Sequence, residues 1–333
     1  MIKNFLKKIY ISKTISSLVN LIGSPWKGRG VILMYHRVME DKEMDKDLNH
    51  GLAVSCSNFE KQLKILKSKF NVCSLKEFIN NLKKESSKFM VTITFDDGYK
   101  DNLFNALPIL EKFEIPASIY ITTRFLKKEV DIWWHEINDV IQNQTNLIFD
   151  YKKRKFNFIL KNKKQKLSAY RKLSKIFINL KINEQIKLLE KITNTQKRKN
   201  YSKICLNEEE VKILSKHPLI TIGSHGHNHL NLKILNDEEI RYEINQSSKI
   251  LENLLGCRVK HFCYPYGEKK QASAREYNMI KEFKFCSAVT SRVFPIRNYN
   301  LFALPRIYIS ESACDKTLIN HISGFYNLAN KFL

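Results

Sequence analysis

Short apolar runs alternate with segments of helical periodicity along most of the chain, and this alternation limits the fold more than any other sequence feature. The runs that predict strands are VILMY (31–35), FNVCS (70–74), FMVTITF (89–95), ASIYITT (117–123), LITIGS (219–224), HFCYPY (261–266), FCSAVT (285–290) and RIYIS (306–310). Helical patterns lie near residues 57–69, 75–84, 101–113, 237–255 and 270–282. This order is typical of a parallel sheet, and the number of units predicts an α/β fold of the (β/α) barrel type.

The alternation is interrupted between residues 127 and 205. This stretch begins with DIWWHEIND, continues through the predicted hairpin LIFDYKKRKFNFIL (147–160), and then contains Lys-rich helices. Apolar residues at helical spacing predict a stripe that packs against another element; they are Ala169, Leu173, Ile176, Phe177 and Leu180. We therefore expect a basic N-terminal segment (1–30), a barrel (31–126 and 206–333), and a Lys-rich inserted subdomain (127–205) that covers the barrel mouth.

The positive charge is concentrated outside the predicted barrel. The chain has a formal net charge of +24, and residues 127–205 contain 17 Lys and 3 Arg against 7 acidic residues. Such an excess favours an anionic partner, which could be a lipid-linked sugar, an acidic polysaccharide or an anionic membrane surface. A specific nucleic-acid partner is not expected, because the sequence contains no recognisable reading motif.

Cysteine usage and hydropathy indicate the expected compartment. The seven cysteines are odd in number, widely spaced and without a C-x-x-C pair, which favours reduced thiols and a cytoplasmic location. No stretch approaches the roughly 18 to 20 apolar residues that a membrane span needs. The basic, partly apolar residues 1–30 could lie on the inner face of a membrane as an amphipathic segment.

Two adjacent carboxylates, Asp96 and Asp97, follow directly after the predicted strand at 89–95 and precede Gly98. Residues at the C-terminal ends of parallel strands face the ligand cleft. A single Asp at this position could simply cap the next helix. Because two close carboxylates repel each other, the second one indicates a cation or another partner.

Three histidines, His225, His227 and His229, follow the predicted strand at 219–224 in the same way. Two imidazoles and one carboxylate form a three-ligand zinc set that leaves one position open for water. Any two of the three histidines could serve. The two strand ends together predict a divalent metal site.

These residues also carry a family resemblance. TFDDGY (94–99) and SHGHNHLNL (224–232) resemble the first two signature motifs of the NodB-type polysaccharide deacetylases, carbohydrate esterase family 4. FCYPYG (262–267) resembles their third motif, and VILMYHRV (31–38) resembles the first strand of a subset of the family. The resemblance implies a distorted, incomplete (β/α) barrel. It also implies a hydrolase that removes acetyl groups from N-acetylated sugars of a cell-surface polysaccharide or its lipid-linked precursor.

The resemblance implies a role for each matching residue. Asp97, His225 and His229 would bind one divalent metal, because the ligands of the second motif stand four residues apart, and His227 would lie outside this set. Zinc is favoured, although cobalt, nickel, manganese and iron also suit these ligands. Asp96 would be the catalytic base.

The third motif would shape the remainder of the site. The backbone N–H of Tyr266 would face the developing oxyanion, and Tyr264 and Pro265 would form the substrate-binding wall. Trp133 and Trp134, at the start of the insert, could stack on sugar rings. They could equally anchor the inserted subdomain, so both interpretations remain open.

Two departures from the family pattern concern the general acid and the partner of the base. The usual late histidine motif is absent, because LINH, which ends at His321, has the wrong spacing. We expect His36 to act as the general acid instead. Cys263 stands where many members have an arginine, and Arg306 could supply that guanidinium to Asp96. A related amidohydrolase acting on a non-sugar amide and a catalytically impaired glycan-binding homologue remain alternatives, and O-deacetylation is chemically close.

Overall fold

The computed structural model describes residues 28–46, 52–84, 88–294, 296, 299–313 and 315–322. The amphipathic segment expected at residues 1–30 lies almost entirely outside them. The strands in these residues are β1 (Gly30–Tyr35), β2 (Arg37–Met39), β3 (Ala53–Ser55), β4 (Met90–Phe95), β5 (Ala117–Ile121), β6 (Asn146–Tyr151), β7 (Arg154–Ile159), β8 (Ile220–Ser224), β9 (His261–Cys263), β10 (Ser287–Val289) and β11 (Ile307–Tyr308).

Ten α-helices pack around or between these strands in the described residues. They are α1 (Cys56–Lys69), α2 (Leu75–Leu82), α3 (Leu107–Phe113), α4 (Trp133–Asn143), α5 (Lys163–Phe177), α6 (Ile182–Thr193), α7 (Glu208–Lys216), α8 (Asp237–Leu255), α9 (Ala274–Glu282) and α10 (Asp315–Ile322). Within the described ranges, no helix combines the length and apolarity needed to cross a bilayer.

Local chemistry sets the ends of the longest helix, α8. The Asn236 side chain accepts a hydrogen bond from the Glu239 N–H at 2.9 Å, and the Glu239 carboxylate accepts one from the Asn236 N–H at 2.8 Å. This reciprocal capping box satisfies two N–H groups at the helix start. Gly256 ends the helix at φ 65°, a left-handed conformation that favours glycine. The predicted range 237–255 is therefore confirmed.

Seven strands form one parallel sheet in the order β10-β9-β8-β5-β4-β1-β11. All residues of β1 and β5 are buried, as expected for strands covered on both faces. Leu33 pairs with Ile307 of β11, and Leu304 forms a parallel bridge with Val289 of β10. The segment around residues 304–308 therefore contacts β10 at one edge of the sheet and forms β11 beside β1 at the other. Because one segment contacts both ends of the strand order, the sheet curls into an incomplete barrel. The predicted fold class is confirmed.

The register of the sheet brings two polar strand ends to the same edge. Phe95, the last residue of β4, pairs with Ile119, and Ser224, the last residue of β8, pairs with Ile121. Only β5 separates β4 from β8, and neighbouring strands lie about 4.8 Å apart. Side chains that follow β4 and β8 can therefore meet across the end of β5.

Residues 127–205 form a separate hydrophobic cluster. Strands β6 and β7 pair antiparallel from Asn146↔Ile159 to Tyr151↔Arg154, as the hairpin prediction requires, and α4, α5 and α6 pack with them. In the predicted apolar stripe of α5 and its C-terminal extension, four residues are buried and Ile176 is half-buried. The chain then returns to the barrel, where the Leu206 N–H donates to the Gly98 carbonyl at 3.0 Å.

Three sequence predictions of secondary structure need correction. The run at 70–74 forms only an isolated bridge between Val72 and Val91. The strand predicted at 261–266 ends at Cys263, because the chain turns where Tyr266 and Gly267 both adopt φ 61°. The helix predicted at 101–113 begins as a π turn over Asn102–Ala106 before α3.

Candidate metal centre and hydrolytic site

Asp97, His225 and His229 meet at the C-terminal edge of the sheet. The Nε2 atoms of His225 and His229 lie 3.4 Å and 3.2 Å from Asp97 Oδ1. All three side chains are buried, and their ligand atoms lie within 4.8 Å of one another. A carboxylate and two imidazoles at such separations could hold one divalent ion between them.

Unusual backbone conformations place these ligands. Asp97 has φ 74° and His229 has φ 56°, both left-handed values that non-glycine residues rarely adopt. Each such residue costs on the order of 1 to 3 kcal/mol and persists only where surrounding contacts maintain it. Glu243 supplies such contacts, since its carboxylate accepts from the N–H groups of His227 and Asn228 at 3.1 Å and 2.8 Å.

The hydrogen bonds around the cluster fit a cation. Nδ1 of His225 lies 2.8 Å from the Cys263 carbonyl oxygen, so Nδ1 carries the proton and Nε2 is left as a ligand. Asp97 Oδ1 is buried without a hydrogen-bond partner among the described residues. Burial raises the pKa of Asp97, but His229 and His225 outweigh it, and the pKa lies well below its usual value. An ionised carboxylate oxygen that faces two imidazole nitrogens suits a divalent metal.

Asp96 does not join this set and instead forms an ion pair with Arg306. The guanidinium donates from Nη1 to Oδ1 at 2.7 Å and from Nη2 to Oδ2 at 2.6 Å. Burial raises the pKa of Asp96, but the adjacent Arg306 and His225 lower it to about 2. The carboxylate is therefore ionised at neutral pH, as a proton acceptor must be.

Arg306 is itself fixed in position by several groups. Its side chain is 1% exposed. Nε donates to the Thr290 carbonyl at 2.9 Å, Nη1 lies 3.1 Å from Thr94 Oγ1, and Nη2 lies 3.1 Å from Cys263 Sγ. Cys263 is thus a small buried neighbour of the Arg306 guanidinium. The guanidinium of Arg306 lies where a side chain larger than cysteine at position 263 would extend.

His36 also lies close to Asp96. Its Nε2 is 3.8 Å from Asp96 Oδ2, and its Nδ1 has no hydrogen-bond partner among the described residues. The pKa of His36 is lowered from its ordinary value, because the effect of burial exceeds the opposing effect of Asp96. His321 lies on α10, outside the residues that line the cleft, so it does not take part in this group.

The residues of the third motif occupy different depths. The Tyr266 ring packs edge-on against His229, with ring centroids 4.7 Å apart. Tyr264 is buried and its hydroxyl donates to the Phe302 carbonyl at 2.9 Å, while its side chain still lines the cleft. Pro265 is buried next to Gly226 and is absent from the lining of the cleft in the described part of the chain. The role of Pro265 in the substrate-binding wall stays a prediction.

His227 points away from the cluster. Its Nδ1 lies 2.8 Å from Thr123 Oγ1, and its ring packs edge-on against Tyr242. Burial lowers the pKa of His227 to about 4. This position agrees with the expectation that His227 is not a ligand.

The site opens into a cleft of about 500 Å³. Its walls come from both the barrel and residues 127–205. Trp134 donates from Nε1 to the Tyr99 hydroxyl at 3.0 Å and packs against His229, with ring centroids 4.9 Å apart. Trp133 stacks on Phe177 with centroids 5.0 Å apart. Both tryptophans line the cleft and also anchor the insert, so the two interpretations are compatible.

Sequence reasoning missed several residues of the cleft. Tyr308 follows Arg306 by two positions, and period-two alternation in a strand could have identified it. Nothing in the sequence indicates which face of α5 lines a cleft rather than the insert core. The missed residues from the insert are Tyr170, Ser174 and Ile178.

Comparison with known proteins decides the family. Residues 83–281, more than half of the chain, match the family model described as polysaccharide deacetylase. The chain belongs to the polysaccharide deacetylase family. A poly-beta-1,6-N-acetyl-D-glucosamine N-deacetylase of Staphylococcus aureus is 30% identical over 205 residues, which cover 55% of this chain and 68% of that protein. The predicted enzyme class, a polysaccharide deacetylase hydrolase, is confirmed.

Several solved structures share the fold. The Streptococcus pyogenes deacetylase PplD superposes with a TM-score of 0.57 and 19% identity, covering 88% of this chain and 97% of that one. IcaB from Ammonifex degensii gives a TM-score of 0.55 and 14% identity, covering 89% and 97%.

Proposed function

We propose that this polysaccharide deacetylase is a metal-dependent enzyme that removes acetyl groups from N-acetylated sugars of a cell-surface polysaccharide. One observation carries the proposal: a buried Asp97–His225–His229 cluster lies beside Asp96, whose carboxylate is kept ionised by Arg306. The name of the Staphylococcus aureus relative supports a polymer of N-acetylglucosamine as the substrate.

Asp97, His225 and His229 would hold the metal, and zinc is the favoured ion for this ligand set. A divalent ion held there would polarise an acyl oxygen and would lower the pKa of water to about 7. The chain's own contribution is to keep both imidazoles oriented, through the Cys263 carbonyl for His225 and through Tyr266 and Trp134 packing for His229.

The remaining roles concern proton transfer and charge. Asp96 accepts a proton from the attacking water as the carbon–oxygen bond forms. The backbone N–H of Tyr266 donates to the oxyanion, a contribution of about 2.7 to 4 kcal/mol for one such donor. His36 donates a proton to the departing amine as the carbon–nitrogen bond breaks, so that acetate and a free amino sugar result.

We also propose the finer features expected from the sequence. The VILMYHRV strand and the FCYPYG motif support membership of the subset in which an N-terminal histidine replaces the late one. Residues 127–205 would act as an inserted subdomain whose tryptophans contact the sugar. A cytoplasmic position at the inner face of the membrane and a lipid-linked precursor as substrate belong to this proposal as well.

Acetate release is the direct test of the proposed activity. The purified protein loaded with zinc is expected to release acetate from oligomers of N-acetylglucosamine, and chelation is expected to abolish the release. Parallel assays with O-acetylated sugars and with N-acetylated peptides distinguish a sugar amidase from an esterase or another amidohydrolase. Metal binding without acetate release from any substrate would instead support a catalytically impaired glycan-binding protein.

Replacement of His36 by Gln is expected to lower turnover of N-acetylated sugars about 10²- to 10⁴-fold, the range for loss of a general acid. The loss should be much smaller for a 4-nitrophenyl acetate substrate, because its leaving group departs without protonation. His227→Gln is the matched control and should change neither rate much. Equal losses on both substrates for His36→Gln would contradict a proton-donor role.

A further inference from the structure

The β6–β7 hairpin has one face that the described protein does not cover. Ile148 and Ile159 are 51% and 55% exposed. In the antiparallel register, Ile148 pairs with Asn157 and Ile159 pairs with Asn146, so the two isoleucines are diagonal neighbours on the same face. The opposite face, which includes Leu147 and Phe149, packs into the cluster formed by residues 127–205. The isoleucines thus form a small apolar area directed away from that cluster.

The turn of the hairpin places cations at its tip in a costly conformation. Lys152 and Lys153 have φ 48° and 60°. A two-residue turn with both residues left-handed normally uses Asn-Gly, because other side chains are disfavoured there. Turn propensity therefore does not explain two lysines at this tip.

Cations outnumber acidic residues in the sequence around the exposed isoleucines. Asp150 is the single acidic residue of the hairpin sequence 146–159, and it pairs with Lys155 on the face of the isoleucines. Among the described residues, Lys152 has an ion pair with Glu184. The other exposed cations of the hairpin and of the start of α5 have no ion pair in the described part of the chain. The exposed cations of the hairpin and the start of α5 that can join the isoleucine face are Lys152, Lys153, Lys155, Lys161, Lys163 and Lys164. Arg154 pairs with Tyr151 and lies on the opposite face.

These cations are not part of the substrate cleft. No lysine is found among the described residues that line the cleft, and its one arginine, Arg306, is engaged by Asp96. The cleft is therefore not built to bind polyanions. A role of the hairpin cations on the outer surface does not depend on the proposed catalytic activity, and it deepens the proposed position at a membrane.

We propose that the hairpin face, defined by Ile148, Ile159 and the exposed cations Lys152, Lys153, Lys155, Lys161, Lys163 and Lys164, binds the surface of an anionic phospholipid bilayer. Lipid phosphates attract the cations, each of which contributes about a fivefold increase in partitioning, equivalent to about 1 kcal/mol. The isoleucines enter the boundary between headgroups and acyl chains, as apolar residues of interfacial segments do. An acidic polysaccharide or a nucleic acid would use the cations but would leave the isoleucines exposed to water.

Sedimentation of the full-length protein with lipid vesicles tests this surface. The wild type is expected to bind vesicles of phosphatidylcholine with phosphatidylglycerol and not vesicles of phosphatidylcholine alone, and salt should weaken the binding. The triple variant Lys153→Gln/Lys155→Gln/Lys161→Gln should reduce partitioning about a hundredfold. A matched control, Lys64→Gln/Lys76→Gln/Lys249→Gln, removes the same charge from exposed positions on α1, α2 and α8 and should have little effect.

The isoleucines separate a bilayer from other anionic partners. Ile148→Ser/Ile159→Ser should weaken vesicle binding and leave binding to heparin, a soluble polyanion, unchanged. The proposal is overturned if both triple variants lose binding equally, if the wild type ignores anionic vesicles, or if the isoleucine variant binds vesicles normally. Circular dichroism melting of each variant excludes a folding defect, and unchanged acetate release shows that the deacetylase site is unaffected.

Discussion

Replacement of Asp96 by Asn is expected to lower turnover about 10²- to 10⁴-fold while the metal remains bound, because Asp96 contributes proton transfer and not a metal ligand. Asn keeps the shape of the side chain and can still accept a hydrogen bond from Arg306. It has no basic carboxylate to take the proton of water. Metal content measured by mass spectrometry, together with acetate release under saturating zinc, checks both parts of this expectation.

Asp97→Asn is the matched variant, since it makes the same chemical change one residue later. It should lose metal affinity and activity together, because Asp97 Oδ1 is the carboxylate oxygen facing both imidazoles. Activity of the Asp97 variant should recover in part at high zinc concentration, and that of the Asp96 variant should not. If Asp96→Asn lost the metal, or turned over at the wild-type rate, the assignment of the two carboxylates would be wrong.

The positions of these two aspartates show how much a sequence can predict in an α/β fold. Strand β4 is apolar and ends at Phe95, so the residues that follow must lie at the edge where other strands also end. The same argument applies to β8 and His225. Because β4, β5 and β8 are neighbours, two separate strand ends indicate one site, and the spacing of His225 and His229 follows from the family motif.

Other features depend on contacts that local patterns do not record. The end of β9 at Cys263 follows from the left-handed conformation of Tyr266, which a Tyr-Gly pair does not reveal. Glu243 occupies a helix position that would suit an exposed acid, yet it is 2% exposed and contacts the histidine loop. Burial raises the pKa of Glu243. Only the tertiary packing of α8 on the barrel shows why a carboxylate is needed there.

Arg306→Ala is expected to reduce turnover by about 10²-fold or more and to leave metal affinity much less changed. Removing the guanidinium leaves Asp96 buried without a cation, and breaking such a buried pair typically costs about 3 to 5 kcal/mol of stability. Burial then raises the pKa of Asp96 with no opposing arginine. A base with a higher pKa becomes protonated at higher pH, so the acid limb of the kcat/KM profile should shift toward neutral pH.

Arg306→Lys provides the comparison, because it retains one positive charge and loses the two parallel hydrogen bonds to Asp96. It should lie between wild type and Arg306→Ala in both turnover and the position of the acid limb. A purely structural role would lower the melting temperature without moving the pH profile of the folded fraction. Equal losses of metal affinity and turnover in Arg306→Ala would argue instead that Arg306 maintains the whole centre, since Asp96 and the metal ligands share the same edge of the sheet.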